Sequence, residues 1–338
     1  SGQAPDFRRQ AASADRRLMR AAIAATLLSL AAIPAVGEIV LGLPIDCQPG
    51  DTCHIQHLVD RDPGPGVQDY ACGRLSYDSH KGTDFALPSL AAMDRGVDVL
   101  AAAPGVVTAT RDGMADKVFS AANATRVEGR DCGNGVVIRH SDGWETQYCH
   151  LKQGSIKVAK GAQVEAGSVL GQVGLSGRTQ FPHLHLSVRH DGAVIDPFDP
   201  TDPVACATDT APLWHHPPET PPGGLIHAGF SAGVPSYQSV KEGTATRAVL
   251  PSDASGLVLF AYAYGGLVGD EVLFHITGPQ GSILIQRAVL EKDQAQFFRA
   301  SGKRLTTSHW PTGTYHGTVS YLRGSTNLGQ VTAQVDIH

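Results

Sequence analysis

The chain has 338 residues, enough for two domains of ordinary size, each with its own core. A formal net charge of −5, with no basic stripe carrying interleaved aromatics, excludes the footprint of a nucleic-acid-binding protein. With 38 glycines, 21 prolines and 42% hydrophobic residues, the composition is that of a globular, turn-rich, strand-built chain rather than a helical bundle.

In chain order, Arg16, Arg17 and Arg20 precede an uncharged apolar run over 21–37 that ends Ala35-Val36-Gly37. A positive region, an apolar region and a small-x-small site form the pattern of a secretory signal peptide, with Met19 as an initiator candidate. The competing reading is a retained membrane anchor. The apolar run contains Pro34 and is short for the ~20 residues of a span, so cleavage is expected, with no stable membrane span afterwards. The protein is therefore expected to be exported, to the periplasm, cell envelope or extracellular space.

Six cysteines, Cys47, Cys53, Cys72, Cys132, Cys149 and Cys206, all follow this leader. An even number in an exported chain reads as a disulfide set, for which fifteen connectivities exist. Cys132 and Cys149 flank a predicted hairpin and are the favoured pair; the other four could close as Cys47–Cys53 and Cys72–Cys206. Zinc ligation by these cysteines competes, but no CxxC spacing supports it.

The stapled segment 38–74 is dense in Pro, Gly and Asp over 47–73 and is expected to be irregular rather than core. Over 75–205, short β-branched runs at 97–100, 105–110, 135–140, 144–150, 168–173 and 183–188 are separated by turn signals such as Ser141-Asp142-Gly143. That spacing predicts an antiparallel, all-β domain. Helical content is expected to be minor, with 88–94 the best candidate, and 111–131 reads as a loop on the rim of a site. Pro212, Pro217, Pro218, Pro221 and Pro222 mark 206–224 as an extended linker. Runs at 245–250, 256–264, 271–277, 282–289 and 312–322 then predict a small immunoglobulin-like β-sandwich of six or seven strands over 225–338.

Chemistry concentrates at 181–189, F-P-H-L-H-L-S-V-R. His183 and His185 are two apart in a strand, so both imidazoles face one side. Alone, such a pair is as well read as ordinary surface or core histidine. His80 and Asp84, four apart around Gly82, supply further ligand types, although a surface histidine and a turn aspartate would give the same letters. Two His and one Asp form a nitrogen–oxygen set suited to Zn²⁺ rather than Ca²⁺ or Mg²⁺, with the fourth position left for water.

These motifs, in this order, make the resemblance specific. H-K-G-T-D at 80–84 resembles the HxxxD motif, and H-L-H at 183–185 the HxH motif, of the lysostaphin/LytM-type zinc metallopeptidases of family M23. Gly133 to Ile138 with Tyr148-Cys149-His150-Leu151, the glycine-bracketed runs 164–171 and 174–178, and Asp196-Pro197 are similar to that family's intervening text, so the resemblance spans about 75–200. It implies a LytM-like fold, one Zn²⁺ per chain held by His80, Asp84 and His185, and a catalytic pair, His150 and His183, left free of metal. A neutral imidazole can take a proton from water and return it to a leaving amine. No H-E-x-x-H offers a glutamate for that task.

The expected function is an exported zinc metalloendopeptidase hydrolysing amide bonds in peptidoglycan stem peptides or cross-links. Rival readings are a non-catalytic LytM-like regulator or wall-binding module, and a zinc peptidase acting on protein substrates. His140 is expected to be structural or on the rim. His54 and His57 could reach the site, though nothing in the sequence shows it. His215-His216 and the scattered His227, His275, His309 and His316 read as incidental. Extra text between Asp84 and Ala101, the 111–131 loop and the cysteines depart from the simplest family pattern.

Overall fold

Alternating Val, Ile, Leu and Thr over runs of four to eight residues favour half-buried strands, and these runs build one antiparallel sheet. The computed structural model describes residues 39–338 apart from 202 and 207–210; the proposed leader over 1–37 lies outside them. The first region comprises β1 (His54–His57), β2 (Thr83–Ala86), helix α1 (Leu90–Arg95), β3 (Asp98–Leu100), β4 (Gly105–Arg111) and β5 (Asn134–Arg139). It continues with β6 (Trp144–Leu151), β7 (Gln163–Val164), β8 (Val169–Gln172), β9 (His183–His190) and β10 (Ala193–Ile195). The main sheet runs β1-β2-β9-β6-β5-β4-β7, with β10 beside β9, while β3 and β8 pair separately.

Register decides which face carries chemistry. Asp84 lies opposite His185, and His185 opposite Cys149, while Phe85 pairs with Leu184 and Tyr148 with Leu186. Phe85, Leu184, Leu186, Val188, Tyr148 and Ile138 therefore share the core face. Asp84, His183 and His185 share the other.

The second region holds β11 (Gly224–Ser231), helix α2 (Tyr237–Glu242), β12 (Val249–Leu250), β13 (Gly256–Gly266), β14 (Glu271–Gly278), β15 (Gly281–Val289), β16 (Gln294–Arg304), β17 (Gly313–Arg323) and β18 (Thr326–Ile337). A three-stranded sheet, β11-β13-β16, packs on a five-stranded one, β12-β18-β17-β14-β15. Phe230, Leu259, Phe274, Val319 and Tyr321 fill the space between them.

Two expectations change. The 47–73 segment is not simply irregular: His54–His57 forms the edge strand β1, and Ile45, Cys53, Ile55 and Leu58 enter the core. Its Pro/Gly/Asp density belongs to the turns on either side, and four residues are too few to give a periodic signal. The run 245–250 contributes only β12, and the sandwich has eight strand segments instead of six or seven among the described residues. The disulfides are Cys132–Cys149, the favoured pair, together with Cys47–Cys53 and Cys72–Cys206, one of the ways the other four could close.

Candidate metal and catalytic centre

Three strands and one turn bring the predicted residues together. His80 enters from the turn before β2, Asp84 from β2, His183 and His185 from β9, and His150 from the end of β6. His80 Nε2 lies 3.2 Å from Asp84 Oδ1 and 3.1 Å from His185 Nδ1, and His185 Nδ1 is 2.9 Å from the same oxygen. His80 donates its Nδ1–H to the Leu58 carbonyl at 2.7 Å, so in the neutral ring Nε2 carries the lone pair.

Lone pairs of two imidazoles and a carboxylate oxygen thus converge on one point, an electron-rich arrangement that a cation would complete. Ligand atoms on a tetrahedron with zinc bonds of ~2.0–2.1 Å stand roughly 3.3 Å apart, close to the separations found. The donor set fits zinc, and His80, Asp84 and His185 are the group of described residues able to hold an ion.

His183 and His150 complete the cluster. His183 directs Nδ1–H to the Phe181 carbonyl at 3.0 Å and its Nε2 lies 3.3 Å from Asp84 Oδ1. His150 donates Nδ1–H to the Ser176 carbonyl at 2.8 Å, and its ring centre is 4.6 Å from that of His183. Each ring therefore turns its Nε2 toward the site. Strand alternation would send Cys149 and His150 to opposite faces. His150 instead has φ 64°, a left-handed conformation that turns its ring back to the side of Cys149. The Cys132–Cys149 bridge and the bond from His150 N–H to the Cys132 carbonyl, 2.8 Å, hold it there.

Burial and charge set the protonation. Burial pushes His150 well below the usual imidazole range, and His183 and His185 push the same way. Burial likewise lowers His185. For His80, burial pulls down, but Asp84 and the Leu58 carbonyl outweigh it and the net shift is upward. Burial would raise Asp84, yet the surrounding imidazoles, His80 foremost, hold it well below the ordinary carboxylate value.

One residue that the sequence left open also reaches the centre. His57 on β1 lies opposite Asp84 in register and places its Nδ1 3.1 Å from Asp84 Oδ2, the oxygen turned away from the three-atom cluster. Tyr77, unmarked by any motif, packs against both His57 and His80, with ring centres 5.1 and 4.4 Å away. His54 does not reach the site; it bonds to Gln56 and stacks on Tyr264. His140 is held by the Pro104 carbonyl and Thr146, at the other end of the hairpin. Phe119, from the predicted rim loop, and Phe181 line the cavity that opens over His150 and His183, whose volume is about 660 Å³.

Residues 78–197 match the family model for peptidase family M23. A DD-carboxypeptidase/endopeptidase, Mpg, from Neisseria meningitidis serogroup B is 35% identical over 136 residues, 40% of this chain and 24% of that protein. The peptidoglycan DD-endopeptidase ShyA of Vibrio cholerae is 32% identical over 126 residues, 37% of this chain and 24% of its own length. Among solved structures, the catalytic domain of the prophage-encoded M23 protein EnpA from Enterococcus faecalis aligns with 23% identity over 44% of this chain and 92% of that one, at a TM-score of 0.31. The chain spans about a quarter of the length of these two curated relatives. The segment 78–197 is accordingly similar to peptidase family M23, the lysostaphin/LytM type that its motifs resemble.

Proposed function

We propose that the protein is an exported zinc metalloendopeptidase that hydrolyses amide bonds in peptidoglycan stem peptides or cross-links. In this reading, 1–37 is a leader, 38–74 a stapled segment, 75–205 the peptidase domain, 206–224 a linker and 225–338 an accessory sandwich. The observation that carries it is the asymmetric histidine cluster. Three donor atoms lie within 2.9–3.2 Å of one another, and beside them two more imidazoles have Nδ1 tied to backbone carbonyls, which turns their Nε2 toward the cluster.

His80, Asp84 and His185 would hold one zinc ion. When bound, zinc supplies Lewis acidity, polarising an amide carbonyl and acidifying water. His150 and His183 do the proton work: an Nε2 lone pair accepts a proton from the attacking water and returns it to the leaving amine. Once protonated, the same ring offers an N–H to the oxyanion forming on the carbonyl. The Nδ1 bonds keep the rings from turning away, which is the orienting role that a third group plays in such sites.

Support for the substrate comes from relatives named as DD-endopeptidases. Support for export comes from three disulfides, which persist in oxidising compartments. Among the described residues no helix is long and apolar enough to cross a membrane. The test is incubation with purified sacculi of different cross-link chemistry and mass spectrometry of the new amine and carboxyl ends. Zinc content is measured alongside. His80→Ala and Asp84→Ala should lose zinc, whereas His150→Ala and His183→Ala should keep it and lose turnover. Metal retained in the first pair, or wild-type turnover in the second, refutes the assignment.

A further inference from the structure

The sandwich is more than an appendage, because its residues close one side of the catalytic cavity. Tyr237 and Lys241 of α2, and Lys292 with 293–296 at the turn into β16, line the same 660 Å³ space as His150, His183 and Phe181. Two locks fix this wall. Gln56, fully buried on β1, donates to the Ala295 carbonyl at 2.8 Å and accepts from Gln296 at 2.9 Å. At the other end, Gly243 ends α2 directly against the start of α1: a Cβ there would stand 2.8 Å from Ser89 Oγ, and its φ of 81° is left-handed. Helix and turn are thus seated on the peptidase region by a buried amide and by a contact that leaves no room for a side chain.

The charge of this wall has a direction. Asp293 is paired with Arg74 at 3.0 Å, and across the cavity Arg178 is paired with Asp131 at 2.9 Å. Lys241 lies over the Tyr237 ring, 5.2 Å from its centre. Neither Lys241 nor Lys292 has a carboxylate partner among the described residues. Two uncompensated ammonium groups facing a cavity beside a peptide-cleaving centre form a site for an anion carried by the substrate.

We infer that the sandwich forms a specificity wall of the catalytic groove and that Lys241 and Lys292 select peptides carrying a free carboxylate near the cleaved bond. This rests on the peptidase reading for its substrate class, but its test does not require turnover. Two synthetic tetrapeptides, one with a free terminal carboxylate and one with the carboxamide, are titrated calorimetrically into the metal-free full chain at low salt. The wild type should bind the carboxylate form roughly five- to tenfold more tightly, the range two solvent-exposed charge pairs can supply. Lys241→Ala/Lys292→Ala, at positions outside the core, should abolish the preference and leave carboxamide binding unchanged. Equal wild-type affinity for both peptides, binding of neither, or a preference that survives in the double variant overturns the inference. Lack of zinc or of sacculus cleavage would overturn the peptidase reading while leaving this binding result intact. If the enzyme turns over as proposed, the double variant should raise KM for the carboxylate peptide with little change in kcat.

Discussion

Cutting the Cys132–Cys149 bridge should lower both stability and turnover while sparing metal binding. The bridge spans 17 residues. The loop-closure relation then gives about 3 kcal/mol of stabilisation through the unfolded chain, or roughly 5–10 °C in Tm for a body of this size. The effect on turnover has another origin. His150 sits at φ 64°, a conformation that costs on the order of 1–3 kcal/mol and persists only while its surroundings impose it. Those surroundings are the bridge at the preceding residue and the Cys132 carbonyl on its own N–H. Freed of the bridge, the end of β6 should relax toward ordinary strand geometry and carry the ring off the Ser176 carbonyl. In Cys132→Ser/Cys149→Ser we expect kcat to fall at least ~10-fold, since a misplaced proton acceptor loses much of the general-base contribution. Zinc content should stay at wild type. The control is Cys47→Ser/Cys53→Ser, whose bridge spans 6 residues, is worth about 2 kcal/mol and touches neither His150 nor His183. That variant should lose Tm alone. Scanning calorimetry, steady-state kinetics and metal analysis on both variants decide the matter. Unchanged kcat in the first would show that His150 is oriented without the bridge.

Other perturbations follow from contacts around the same centre. His57→Ala removes the group facing Asp84 Oδ2 and should weaken zinc binding ~10–100-fold in chelator competition, as loss of a ligand-orienting partner does; wild-type affinity would show that Asp84 needs no such support. At Gly82 a Cβ would stand 2.5 Å from the Leu186 carbonyl and 2.6 Å from His185 Nε2, so Gly82→Ala should displace His185 and reduce zinc content in a chain that still folds by circular dichroism, and full occupancy would refute this. Away from the metal, burial lifts the Asp196 carboxyl from 3.8 to about 7, against the pull of the Phe198 N–H and Arg61. The folded chain then holds a proton between about pH 4 and pH 7 that the unfolded chain has released, so this group's stabilising effect is full below pH 4 and is lost as pH rises through 7. Tm measured from pH 5 to 8 should fall less in Asp196→Asn than in wild type; superimposable profiles would show that the carboxyl is not held neutral.

The parts of the fold legible in the sequence are those with a local signature. Alternating runs fixed β5, β6 and β9, and the even spacing of His183 and His185 fixed their common face. HxxxD could be joined to HxH only through the resemblance, because their meeting depends on β2 lying beside β9, a pairing between residues about 100 apart. His57 had no such help. Its strand is four residues long and sits between turn-rich stretches, and its role appears only once β1 pairs with β2. The left-handed φ of His150 was illegible for another reason: glycine would have announced it, and histidine does not. The docking of the sandwich rests on single residues, Gln56 and Gly243, that no periodicity marks.

Residues 56–58 connect these hidden features. Gln56 binds the sandwich through the Ala295 carbonyl and Gln296, His57 faces Asp84, and the Leu58 carbonyl fixes the tautomer of His80. Three successive residues therefore touch the groove wall, the carboxylate and one imidazole of the proposed metal site. They can do so because β1 is an edge strand: one side pairs with β2, and the other is free to meet the sandwich. A shift of β1 by one residue along β2 would move all three contacts at once, since side chains alternate faces with a period of two. The segment is held against that slip by Leu58 N–H on the Leu75 carbonyl, 2.7 Å. The same register that orients the proposed metal ligands also sets where the sandwich stands over His150 and His183, so a change in this short strand should alter metal affinity and groove width together.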